Sequence, residues 1–338
     1  MGSLARAMCF GILRGGLQTK VDVGLCFSVS NFSTYTHFVY FTIPPLVLRF
    51  WKISHTPKKI DLYGRGWSDS PLNIRFDASL YNTQMLHALL SSDLPWLSPQ
   101  ESFSIIGYSL GGSLVPTFLL SLPPLQLASI DSAILLAPAG LLQVARLAFL
   151  KKLGYRGWLP TALQTFVAQR HMRRSVKELL EKQKPGDSDS STMSVDSVTE
   201  WQARTHRGYL PAWISSFQCC PIFDQHHIWS QFRTLAETNA FGALSERTQP
   251  NKVFIILAGK DDTVKFNEVV PALRQIFAQS IGDVDGQTQK EAFVKWKVYE
   301  NDGHDLVATK GIDIADEILH FWGLKEPREP MAQSWVHA

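Results

Sequence analysis

Residues 104–113 read SIIGYSLGGS, an apolar run that ends in a serine held between glycines. The β-branched residues before it have the character of a buried strand, and SLGGSLVPTFLLSL (109–122) is apolar on nearly every side, as a helix under a sheet would be. A strand that turns at once into a helix strains the residue at the turn. Gly107 and Gly111 stand two positions either side of Ser109, where side chains would collide. Such a turn lifts the hydroxyl clear of the backbone and sets it at a helix N-terminus, where the dipole and free amides favour developing negative charge. A plain strand-to-helix turn has the same outline, so the rest of the chain must supply what a nucleophile needs.

A serine hydroxyl alone is a poor nucleophile and requires a base and an acid that orients the base. Two later stretches offer them: VFIILAGKDDTV (253–264) ends an apolar strand in Asp261 and Asp262, and VYENDGHDL (298–306) ends another in Gly303 and His304. Both lie where strands finish, the edge at which open parallel sheets place their sites.

The order Ser, Asp, His, each in a loop after a strand, resembles the α/β-hydrolase superfamily. The elbow GYSLGG, the turn DLYGRGWSDSP (61–71) and the late DGHDL are similar to its patterns, over roughly residues 58–325. The resemblance implies Ser109 as nucleophile, His304 as general base and an aspartate after IILAG as acid. Gly, two residues, then the acid selects Asp262, the expected choice; counting back from Val264 selects Asp261. The Leu110 backbone amide is the implied oxyanion donor. Because an imidazole must be neutral to act as base, activity is expected to fall as pH drops through ~6.5, the ordinary histidine range. The turn containing Asp61, Gly64, Gly66, Ser68 and Asp69 is read as a structural one, fixed by side-chain to backbone bonds.

Strands are expected at 102–107, 132–137, 253–259 and 293–300, with 58–62 as a further candidate, and an amphipathic helix at 306–322. Alternation with helical patterns predicts an α/β fold, a mostly parallel sheet with crossover helices. Residues 141–245 break this rhythm: helix-rich and aromatic, they are expected to form a helical cap, with a mobile polar loop at 184–197. The remaining divisions are an atypical segment at 1–57, core at 58–140 and 246–325, and a tail at 326–338. RTHRGYLPAWISSF (204–217) is expected to sit above the site, so Tyr209 and Trp213, with Tyr108 beside the serine, are the candidate substrate-binding residues. His206 and His227 are candidate pocket residues from the cap; His87, His226 and His320 read as surface or packing groups, and Arg207 as a solvated side chain.

Composition sets outer bounds. At 338 residues and 45% hydrophobic content the chain can bury a large core, and 33 basic against 30 acidic residues, with no basic tract, exclude a nucleic-acid partner. Cys9, Cys26, Cys219 and Cys220 have neither zinc-site spacing nor a disulfide framework, which fits a reducing, cytoplasmic setting. HFVYFTIPPLVLRFW (37–51) is too short for a membrane span and is broken by Pro44 and Pro45, so no stable membrane insertion is expected. No cofactor or metal is expected; the expected partner is a small-molecule substrate.

The first part of the chain departs from the family pattern. There is no His-Gly to mark the loop of a second oxyanion amide, and only residues 51–57 separate PPLVLRF (44–50) from KKIDL, too few for a parallel crossover. The N-terminal strands are therefore expected to be incomplete. The leading functional expectation is a serine hydrolase cleaving a carboxylic ester or thioester of a largely apolar substrate. The alternatives are a carbon-carbon bond hydrolase with the same triad and a catalytically silent binding protein.

Overall fold

The computed structural model describes residues 9–15, 21–22, 25–26, 58–66, 68–71, 73–91, 96–97, 102–160, 162–170, 195–238, 240–241, 252–277 and 293–323. In chain order the strands are β1 (Cys9–Gly15), β2 (Val21–Asp22), β3 (Leu25–Cys26), β4 (Lys58–Lys59), β5 (Ser102–Tyr108), β6 (Ile130–Leu136), β7 (Val253–Ala258) and β8 (Val294–Tyr299). Helix α1 (Ala78–Leu90) precedes β5, and α2 (Leu110–Ser121) and α3 (Pro124–Ala128) follow it. After β6 come α4 (Phe149–Tyr155), α5 (162–170), α6 (Val195–Thr205), α7 (Tyr209–Cys219) and α8 (His226–Glu237). Helix α9 (Phe266–Phe277) follows β7, and α10 (Leu306–Thr309) and α11 (Gly311–Phe321) follow β8.

These strands form one sheet in the order β2-β1-β5-β6-β7-β8, with β3 and β4 also paired to β1. From β5 to β8 every pairing is parallel, in registers such as Ile105 with Ala133 and Ile134 with Phe254. All seven residues of β6 and all six of β7 are buried, which is why their sequences are continuous apolar runs. Alternate residues feed two cores. Phe103, Ile105, Leu135 and Ile255 pack with α1, α2, α8 and α9, whereas Ile106, Ile134, Phe254 and Ile256 pack under α10 and α11.

Four features differ from the sequence-based expectation. Beside β5 lies β1, antiparallel to it over the full Cys9–Gly15 span, so part of the N-terminal segment completes the sheet on that side. The expected strand at 58–62 shrinks to the two-residue β4, antiparallel to β1, because the chain then enters a turn in which Leu62 O accepts from Arg65 N at 3.0 Å. The expected single helix at 306–322 is two, α10 and α11, with Lys310 between them as the cap of both. Helix α8 falls inside the expected cap, yet Trp229, Phe232 and Ala236, on one face at helical spacing, are fully buried in the main core. Val195–Ser197 of the expected mobile loop are helical in α6; residues 184–194 of that loop, the 44–57 stretch and the 326–338 tail lie outside the described residues. Among the described residues no helix is long and apolar enough to cross a membrane.

Candidate active site

Ser109 sits between β5 and α2 with φ 56° and ψ −116°, a strained conformation for a residue with a side chain. Its neighbours make that turn possible. A Cβ on Gly107 would lie 2.3 Å from the Gly111 carbonyl oxygen, and one on Gly112 would lie 2.6 Å from the Pro138 Cβ. The Ser109 amide donates to Leu136 O at 2.9 Å and its carbonyl accepts from Ala139 N at 3.0 Å, so the elbow is anchored to the end of β6. Leu110 opens α2, which leaves its amide among the helix N-terminal donors that no earlier helical carbonyl can satisfy.

The loops after β7 and β8 are stitched together by backbone. Gly259 N donates to Tyr299 O at 2.9 Å and Lys260 N to Asp302 O at 3.0 Å. A Cβ at Gly259 would come within 2.5 Å of the Glu300 carbonyl oxygen, so the closeness of these loops requires a glycine there. The result is a continuous chain of three side chains. His304 Nε2 is 2.9 Å from Ser109 Oγ, and His304 Nδ1 is 2.7 Å from Asp261 Oδ2. His304 is fully buried, and the Asp261 side chain is 2% exposed.

The aspartate that meets the histidine is therefore Asp261, which corrects the expected Asp262. The reason is local. Asp261 Oδ1 accepts from the amides of Thr263 and Val264, both at 2.8 Å, which turns the carboxylate inward and leaves Oδ2 for His304. Asp262 points to solvent and lines a cavity of about 190 Å³ together with Gln143, Arg146, Lys265 and Glu268. There the buried Glu268 carboxylate accepts from Gln143 N at 3.2 Å and pairs with Lys265 Nζ at 3.1 Å, tying the start of the helical insertion to α9.

The expected substrate-contacting aromatics are placed differently. Tyr108 is buried, with its ring stacked on His304 at 5.2 Å and its hydroxyl donating to the His304 carbonyl. It backs the histidine rather than facing a substrate. Tyr108→Phe leaves that buried carbonyl short of a donor and is expected to lower unfolding stability by about 1–3 kcal/mol, read from urea denaturation. Tyr209 is buried with Ala168 and Leu210 in a small core of the helical insertion, and Trp213 packs against that cluster and stacks on Phe217 at 5.9 Å. Sequence reasoning missed the roles of Tyr108 and of the Thr263 and Val264 amides.

The glycine-rich turn is held by side-chain to backbone bonds and is also tied to the insertion. Ser68 Oγ donates to Asp61 O at 2.5 Å and Gln84 Nε2 donates to the same oxygen at 2.9 Å. The buried Arg65 guanidinium donates to Tyr81 Oη at 2.6 Å and to Ser216 Oγ of α7 at 3.0 Å. Nearby, burial pushes the Cys220 thiol up to about 12, so it stays uncharged beside Arg65. His206 accepts from Gly208 N on Nδ1, which places the proton on Nε2 for the Ser68 carbonyl at 3.0 Å; this histidine is a structural tie. Arg207 is exposed beside a groove of about 940 Å³ between the turn and α6–α7. Among the described residues no cluster of three His, Cys, Asp or Glu side chains is arranged to hold a metal.

A comparison with solved structures returns whole-chain matches to this architecture. An esterase from Exiguobacterium antarcticum superimposes with a TM-score of 0.53 at 12% identity, covering 96% of this chain and 100% of that one. An α/β-hydrolase enzyme, MGS-M2, from a Medee basin deep-sea metagenome library gives 0.52 at 12% identity, covering 96% and 98%. The fold is the α/β-hydrolase fold. A hydrolase from Pseudomonas aeruginosa PA01 matches at 0.51 with 14% identity, covering 93% of this chain and 94% of its own. No protein-family model and no curated protein matches the sequence. Within the α/β-hydrolase fold, Ser109, Asp261 and His304 each occupy a loop after a strand of the parallel sheet.

Proposed function

We propose that this chain is a serine hydrolase that cleaves a carboxylic ester or thioester of a largely apolar substrate through an acyl-enzyme. The observation that carries this reading is the unbroken Ser109–His304–Asp261 hydrogen-bond chain at 2.9 and 2.7 Å. The described fold neighbours that are themselves esterases or hydrolases are in keeping with it.

In this mechanism His304 Nε2 takes the Ser109 proton as Oγ bonds to the substrate carbonyl carbon. Asp261 holds the tautomer with hydrogen on Nδ1 and stabilises the imidazolium that forms. The carbonyl oxygen, now an oxyanion, accepts from the Leu110 amide at the start of α2. As the intermediate collapses, His304 returns the proton to the departing alcohol or thiol. Water, deprotonated by the same imidazole, attacks the acyl carbon; the bond to Ser109 Oγ breaks and the proton passes back to the serine, releasing the acid. Residues 44–57, in which no His-Gly marks a second oxyanion amide, lie outside the described residues.

Treatment of the purified chain with a fluorophosphonate, read by intact mass, is expected to give one adduct that disappears in Ser109→Ala. A folded chain that forms no adduct removes the serine-hydrolase reading. An adduct that persists in Ser109→Ala places the reactive group elsewhere.

A further inference from the structure

The segment 149–170, which forms the outer part of the helical insertion, combines two properties that soluble surfaces normally keep apart. Four large apolar side chains lie open to solvent along it: Phe149 at 73% exposure, Trp158 at 67%, Phe166 at 60% and Leu163 at 45%. Soluble proteins rarely leave that much aromatic and aliphatic surface uncovered without a partner. The sequence from Ser132 to Lys177 also contains no aspartate or glutamate, while Lys151, Lys152, Arg156 and Arg170 fall within the exposed segment.

The geometry keeps the two properties together. On α5, Leu163, Phe166 and Arg170 recur at helical spacing on one face, and Ala168 on the opposite side is buried against Tyr209 and Leu210. On α4, Phe149 and Lys152 share a face that continues to Arg156, whose guanidinium lies 5.2 Å above the Trp158 ring. Gln218 Nε2 holds the two helices against α7 by donating to Gly154 O at 2.7 Å and to Gln164 Oε1 at 2.9 Å. The outward faces therefore belong to one packed unit and not to a frayed loop.

We propose that this surface docks on an anionic lipid bilayer. Phe149, Trp158, Leu163 and Phe166 would enter the headgroup boundary, and Lys152, Arg156 and Arg170 would meet lipid phosphates and carboxylates. The partner is identified by charge complementarity: exposed Trp, Phe and Leu side chains interleaved with Lys152, Arg156 and Arg170, along a stretch of sequence that has no aspartate or glutamate of its own, match a negative interface. Such an element lies on the membrane and does not span it, which agrees with the absence of a spanning helix among the described residues. The proposal is independent of the chemistry at Ser109.

The test is co-sedimentation of the full chain with phosphatidylcholine vesicles, with and without about 30 mol% phosphatidylserine, at low and high salt. Binding is expected only with phosphatidylserine, weakened by salt, and accompanied by quenching of Trp fluorescence by brominated lipid that is reduced in Trp158→Phe. Each cation at such a surface strengthens binding about fivefold, so Lys152→Glu/Arg156→Glu/Arg170→Glu is expected to weaken it by at least ~100-fold. A second variant, Phe149→Ser/Trp158→Ser/Phe166→Ser, changes only exposed residues and is expected to lose binding while keeping the wild-type circular dichroism. Three results would overturn the proposal: a folded chain that stays in the supernatant, vesicle binding that both variants retain, and a patch-dependent dimer in sedimentation velocity without vesicle binding, which would assign the surface to a second copy.

Discussion

Asp261→Asn is expected to lower kcat about 10⁴-fold, and Asp262→Asn to change it by no more than about twofold. The contrast follows from which lone pairs each carboxylate has already committed. Asp261 Oδ1 is held by the Thr263 and Val264 amides, so an asparagine there keeps its carbonyl oxygen on those donors and turns its NH₂ toward His304. An NH₂ facing Nδ1 demands a ring that accepts at Nδ1 and carries its hydrogen on Nε2. That hydrogen then points at Ser109 Oγ, 2.9 Å away, and the imidazole has no lone pair with which to take the serine proton. Asp262 is exposed, accepts from Thr263 Oγ1 at 3.4 Å and does not meet His304, so its replacement leaves the imidazole's partners in place. Turnover of a p-nitrophenyl ester, measured beside fluorophosphonate labelling, separates the two. Loss at Asp262 with retention at Asp261 would reverse the assignment.

The two aspartates also show where the sequence stops being informative. Ser109 and His304 are legible because each is marked by its own neighbours: glycines that permit a tight elbow in one case, a strand end followed by Gly303 in the other. Asp261 and Asp262 share one strand end, and each has a backbone amide two residues ahead with which to form a side-chain turn. What separates them is the path of the loop, set by contacts to Tyr299, Glu300 and Asp302 on the neighbouring strand's exit. Those contacts are distant in sequence, and spacing carries no record of them. The same holds for β1. Its sequence, CFGILRG, has two glycines and an arginine in seven residues, so local propensity does not announce a strand, and its antiparallel ladder with β5 supplies the order. Strands β6 and β7 were legible because burial on both faces forces continuous apolar runs.

Helix α8 is the opposite case, a periodic signal that lies inside the stretch expected to form the cap. Trp229, Phe232 and Ala236 mark a buried stripe at helical spacing. In the fold they face α2 and α9. Trp229 fills the space left by Gly140, where a Cβ would lie 2.4 Å from the indole Nε1 and where φ is 116°. Gly140 N donates to Ile222 O at 2.9 Å and Gly140 O accepts from Gln225 N at 2.8 Å, so the tryptophan closes the junction between the end of β6 and the return from the insertion.

Trp229→Ala is accordingly expected to destabilise the protein by about 3–5 kcal/mol, the range for removing a fully buried large aromatic side chain. Because the ring belongs to the main core, the loss should appear as one lower midpoint in urea, with far-ultraviolet circular dichroism and intrinsic fluorescence changing together. If α8 instead belonged to an independently folding cap, the variant would shed part of its helical signal at low urea while the sheet kept the wild-type midpoint. That biphasic result would return α8 to the cap. A single shifted transition would instead establish that the layer over α2, which positions the Ser109 elbow, includes the last helix of the insertion, so that this helix cannot swing away from the core without costing the stability of the site itself.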